Sequence, residues 1–121
     1  MEKIYPILAR AVELGATDIH LTPGQVPVYR VSRKLIFDNE KKVLSISDLN
    51  EVLKGFFHEI KGLEKKFDEK KQIDFSYTHI KTRYRINVSL SKGSPVFSLR
   101  VIPNGKIDLD KMGLSEVVKK M

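Results

Sequence analysis

The chain contains no cysteine. Disulfides and thiolate metal sites are therefore excluded, and the redox compartment is left open. Nowhere do eighteen apolar residues run together, so no helix of this sequence is long and apolar enough to cross a bilayer. The opening "MEKIYPILARAVEL" lacks the basic segment, apolar run and small-residue cleavage site of a secretory signal. A cytoplasmic protein is the expectation. Catalytic signatures are missing too: there is no G-x-x-x-x-G-K-[ST] phosphate loop, dinucleotide fingerprint, H-E-x-x-H or G-x-S-x-G. One more absence is local. From Phe75 to Ile107 there is no acidic residue, while Lys81, Arg83, Arg85, Lys92, Arg100 and Lys106 all fall there. In a chain of formal net charge +7, this one-signed stretch says more about a partner than the total does.

What is present suits one domain. A chain of 121 residues, 41% hydrophobic, has room for a sheet and one helical layer, and should bury roughly two-thirds of its unfolded surface. Ile4, Ile7, Leu8, Ala11, Val12 and Leu14 recur at helical spacing and predict an amphipathic helix over residues 2–14. Pro6 lies in its first turns and Gly15 is the expected left-handed cap. The period then changes to two. Ile19 and Leu21 take one face of a short strand, with Asp18, His20 and Thr22 on the other.

"PGQVP" reads as a turn, and "VYRVSRKLIF" as a hairpin turning near Ser32-Arg33, although neither residue is usual there. "DNEKKVLS" is a polar connection. Ser47 is the expected N-cap of a helix with Leu49, Val52, Leu53, Phe56 and Phe57 on its apolar face. After Gly62, "LEKKFDEK" gives a short second helix holding Leu63 and Phe67. Ile73, Phe75 and Tyr77 alternate, as do Tyr84, Ile86, Val88 and Leu90, and "VFSLRVI" follows; these three runs predict an antiparallel meander. "PNGKIDLDKM" reads as an extended link and residues 115–121 as a helix without an ending signal. The sum is an α+β domain with a mainly antiparallel sheet.

Two groups of residues invite a chemical reading. Asp18 and His20 share a strand face, so both can reach one ion, and His79 is the histidine able to join them. Zinc needs three or four protein ligands, so the favoured reading is a polar pair. In that reading Asp18 and His20 lie on an edge or second-layer strand, Asp18 bonding the arginines of "TRYRIN" and His20 fixing loop carbonyls. No metal site is expected. The second group is Arg83 and Arg85, on one strand face, with Arg100 on the next strand. A guanidinium fork suits phosphate or carboxylate. Salt bridging to Asp18, Asp74 and neighbouring glutamates is one reading; contact with another subunit's nucleotide is the other. RNA stacking on Phe75, Tyr77 and Tyr84 is disfavoured, because Tyr84 belongs to the apolar face; no nucleic-acid partner is expected.

Taken in order, the motifs carry a resemblance. "ELGATDIHLTPGQVPVYRVSRKL" resembles the opening of the twitching-motility ATPases of type IV pilus systems, the PilT-like proteins, and more broadly of the type II/IV secretion ATPases. Those run from a helix into "GASDIH" or "GASDLH" and then "G-x-P-P-x-x-R-x-x-G-x-L"; Gly15, Ala16, Asp18, His20, Gly24, Pro27, Arg30 and Leu35 match. "QIDFSY" and "TRYRINVSLSKGSPVFSLRVIPNGKIDLDKMGL" match a second family segment through Asp74, Phe75, Arg83, Arg85, Asn87, Gly93, Arg100, Pro103 and Leu114. Four positions depart from it: Arg33 stands for the hairpin glycine, Leu90 for a phenylalanine, Lys92 for an arginine and Ser115 for a proline.

The resemblance implies a PAS-like amino-terminal domain over residues 1–103. Residues 104–121 would be the linker and the start of a helix leading to an absent carboxy-terminal ATPase domain. It implies a homo-hexameric motor for pilus retraction, at the inner face of the cytoplasmic membrane, with an inner-membrane platform protein as partner. ATP and Mg2+ would belong to the full-length protein, and neither to this domain, which alone should hydrolyse nothing. Arg83, Arg85 and Arg100 become the candidates for contact with the adjacent subunit's ATPase domain and its nucleotide. Two other classes stay open: a stand-alone PAS-like binding module and an assembly adaptor without nucleotide chemistry.

Overall fold

The computed structural model describes residues 2–102. The expected link and helix after Pro103 lie outside the described residues. The elements run α1 (Tyr5–Leu14), β1 (Asp18–Leu21), β2 (Val28–Val31), β3 (Lys34–Phe37), α2 (Ile46–Glu59), α3 (Leu63–Lys70), β4 (Gln72–His79), β5 (Thr82–Ser91) and β6 (Ser94–Ile102). The strands form one antiparallel sheet in the order β3-β2-β1-β6-β5-β4. Each half is a meander, and the halves join where β1 pairs with β6. The two helices between β3 and β4 make the crossover. This is the α+β architecture expected from the alternation.

One sheet face is the core. Ile19, Leu99 and Ile86 lie opposite one another across β1, β6 and β5, and Leu21, Phe97, Val88 and Ile73 continue the layer. All are at most 5% exposed. Ile4, Ile7, Leu8 and Ala11 of the first helical segment close over them, with Leu49, Val52, Leu53 and Phe56 of α2. Phe56 sits at the centre, its ring 5.0 Å from Tyr77 and 5.1 Å from Phe75, both edge-on, a favoured aromatic geometry.

Helix α1 begins at Tyr5 rather than Glu2, because Pro6 at the second helical position fixes the backbone only from there. It ends on Gly15 at φ 71°, as expected. Val12 departs from the expected stripe: it lies at the margin of the buried face and is half exposed.

The N-cap of α2 is Ser45, not Ser47. The Ser45 hydroxyl accepts from the Asp48 N–H at 3.0 Å, and the Asp48 carboxylate accepts from the Ser45 N–H at 2.9 Å. The capping box thus closes on an aspartate three residues on, two residues earlier than the sequence pattern indicated. The polar connection before it hides a buried group: Asp38 is 5% exposed and accepts from the Tyr29 hydroxyl at 2.9 Å.

Candidate functional site

No helix among the described residues packs on the other sheet face. Its residues follow from the register, because directly opposed residues in an antiparallel ladder point to the same side. Asp18 lies between Arg30 of β2 and Arg100 of β6. Arg100 in turn lies opposite Arg85 of β5. A row of charge therefore crosses four strands, from Arg30 through Asp18 and Arg100 to Arg85. A parallel row runs from His20 through Ser98 and Asn87 to Asp74.

Asp18 is on an interior strand, not an edge or second-layer one, because β6 closes onto β1. Its partners match the salt-bridging reading for Arg100 but not the expected bonds to the arginines of "TRYRIN". Asp18 Oδ1 meets Arg100 Nε at 3.6 Å and Oδ2 meets Arg30 Nε at 4.0 Å, while the Thr17 hydroxyl donates to Oδ2 at 2.9 Å. The two arginines of "TRYRIN" do not reach it: Arg85 Nε bonds Asp74 Oδ1 at 3.4 Å. Arg83 makes no ion pair among the described residues and lies opposite Ile102 at the far end of β5. His20 bonds a side chain, not a loop carbonyl, with Nδ1 3.3 Å from the Ser98 hydroxyl. His79 is remote from it, stacked on Tyr5 at 4.3 Å.

These contacts hold the arginines loosely. The side chains of Arg85 and Arg100 remain 65% and 74% exposed. Ion pairs of this length and exposure contribute about 0–1 kcal/mol each. Directly opposed like charges oppose each other. The Arg85–Arg100 pair is thus the place in the row where an added anion gains most: it would meet two guanidinium forks on Cα positions about 4.5–5.5 Å apart. The face also carries an exposed apolar pair, Leu35 and Phe37. Arg30 lies opposite Leu35, and Val28 opposite Phe37, so these β3 side chains share the arginine side of the sheet. The available signal was the hairpin pairing itself, which sets Arg30 opposite Leu35 and Val28 opposite Phe37.

The same fold occurs in solved structures. The chain superposes on the crystal structure of the pilus retraction motor PilT with bound ADP at a TM-score of 0.70 and 29% identity. The match covers 91% of this chain and 32% of that one. The chain has the fold of, and resembles, a PilT-like amino-terminal domain. The fold recurs in the ATPase DotB of Legionella pneumophila, at a TM-score of 0.64 and 24% identity over 91% of this chain and 31% of that one. It recurs again in the ATPase DotB of Yersinia pseudotuberculosis, at 0.66 and 19% over 92% and 32%. The PilT-like domain therefore spans about a third of the length of the solved structures it matches. No family model matches the sequence, and no curated protein does.

Proposed function

We propose that this PilT-like domain serves a hexameric motor for type IV pilus retraction by packing its arginine face on the ATPase domain of an adjacent subunit. There Arg85 and Arg100, with Arg83 beside them, help close the ATP site. The carrying observation is the Arg85–Arg100 pair: two opposed, exposed guanidinium groups on the helix-free face of a domain that resembles part of PilT.

The domain holds no phosphate loop, so ATP and Mg2+ would sit on the partner domain. Its own contribution is positive charge on a preformed sheet, brought up when the domains close. Asp18 and Asp74 keep the forks in place without burying them. The inner-membrane location and the platform partner belong to the same reading, which rests on the likeness to PilT.

The test is to replace Arg83, Arg85 and Arg100 by alanine one at a time in the protein joined to its ATPase domain. ATP turnover and hexamer assembly are then measured. Loss of turnover in assembled hexamers of the Arg85 or Arg100 variant is expected. Full turnover in all three variants refutes the contact.

A further inference from the structure

The exposed Arg85–Arg100 pair, with Arg83, occupies one end of the helix-free face, and Arg30 lies nearer the other. At the other end Leu35 and Phe37 stand side by side on β3, 50% and 51% exposed. They belong to the arginine side by register, and Val28 lies beside them. Single exposed apolar residues are ordinary. Two at i and i+2 on one face of an edge strand are not how sheets usually end, since edges are kept short and charged. This edge does carry charge, Arg33 and Lys34, but at its turn, where it blocks strand addition more than contact across the face.

From β3 to β5 is four strand spacings, about 19 Å. Beside the apolar pair on β3 the face is positive, with four arginines (Arg30, Arg83, Arg85, Arg100) against two aspartates (Asp18 and, on β4 beyond that span, Asp74). An apolar anchor beside a charged region is the anatomy of a protein interface.

We propose that Leu35 and Phe37 are the anchor by which this face docks on a protein surface, and that the surface carries an apolar patch with carboxylates beside it. The inference rests on the docking reading above and names what that reading lacks. The arginines supply attraction and reach the nucleotide, while Leu35 and Phe37 supply the part of the affinity that salt does not screen. The occupant is the adjacent ATPase domain. Excess positive charge on the face calls for a negative partner, which a second copy of the same basic face is not.

The test is the double variant Leu35→Ser with Phe37→Ser in the protein joined to its ATPase domain. Assembly is followed by sedimentation at low and high salt. Loss of two anchor side chains should weaken assembly at least about tenfold at both salt concentrations. Arg85→Ala should weaken it mainly at low salt. The apolar-preserving pair Leu35→Met with Phe37→Leu should assemble normally, and circular dichroism of the serine variant separates lost docking from lost folding. Normal assembly of a folded serine variant overturns the anchor and leaves the arginine contact standing. Wild-type protein that never assembles through this face overturns both. Self-association of the 121-residue chain alone, lost in the serine variant, would assign the patch to a second copy and also overturn the proposal.

Discussion

Asp38 carries the sharpest stability prediction at the scale of single residues. Its carboxyl is buried and meets the Tyr29 hydroxyl, itself on a fully buried side chain. Burial, then the bond to Asp38, pushes the Tyr29 phenol well above its ordinary value. Tyr29→Phe keeps the ring but leaves Asp38 without that donor. It should cost about 1–3 kcal/mol in urea unfolding, the penalty for a buried polar group left unpaired.

Asp48 gives a pH signature. The Ser45 N–H, then the Lys3 ammonium, hold its carboxyl at about 2 rather than 3.8. A lowered folded-state value means that the stabilisation is present above the unfolded value and is lost as pH falls through the folded one. Wild-type stability should therefore drop between about pH 4 and 2, with a shallower drop in Asp48→Asn, read from denaturation midpoints across that window.

At the scale of elements, the hairpins are built against local preference. Ser32 and Arg33 sit at φ 49° and 71°, and Ile80 and Lys81 at 46° and 64°. Two-residue hairpin turns with both central residues at positive φ favour Asn-Gly, and an ordinary side chain there costs about 1–2 kcal/mol. Ser32→Asn with Arg33→Gly should therefore raise stability by roughly 1 kcal/mol in thermal or urea melts. Phe56 is the opposite case, an element pinned by packing: Phe56→Ala should cost about 3–5 kcal/mol, because three rings lose their common neighbour.

These elements also show what was legible beforehand. Alternation placed every strand of the β4–β6 meander, since side-chain period is a direct consequence of backbone geometry. The Ser32-Arg33 turn was found from spacing despite its residues. The cap of α2 was missed because two serines, Ser45 and Ser47, compete locally, and only the closed box with Asp48 separates them. Asp38 has no such signal, because nothing in a run of polar residues marks which one turns inward.

At the scale of the whole molecule, sequence order says little about which strands touch. Arg85 and Arg100 were recognisable as same-side candidates within a meander, and their facing positions follow from it. The pairing of β1 with β6 was not recognisable, because it joins residues some eighty positions apart through hydrogen bonds that leave no local pattern. It is this pairing that puts Asp18 between Arg30 and Arg100, turns a supposed edge strand into a central one, and gives the arginine row its length. The short motifs around Asp18 and Arg85 carried the family likeness that the superposition on PilT bears out.

The central claim is that this domain acts on an ATPase domain through its arginine face. The most direct measurement adds the chain in trans to a PilT-like ATPase domain lacking its own amino-terminal domain and follows ATP hydrolysis against chain concentration. The account predicts a saturable rise in rate with wild-type chain and no rise with Arg85→Ala plus Arg100→Ala, at unchanged fold by circular dichroism. A flat response to the wild-type chain, or an equal rise with the double variant, would contradict it.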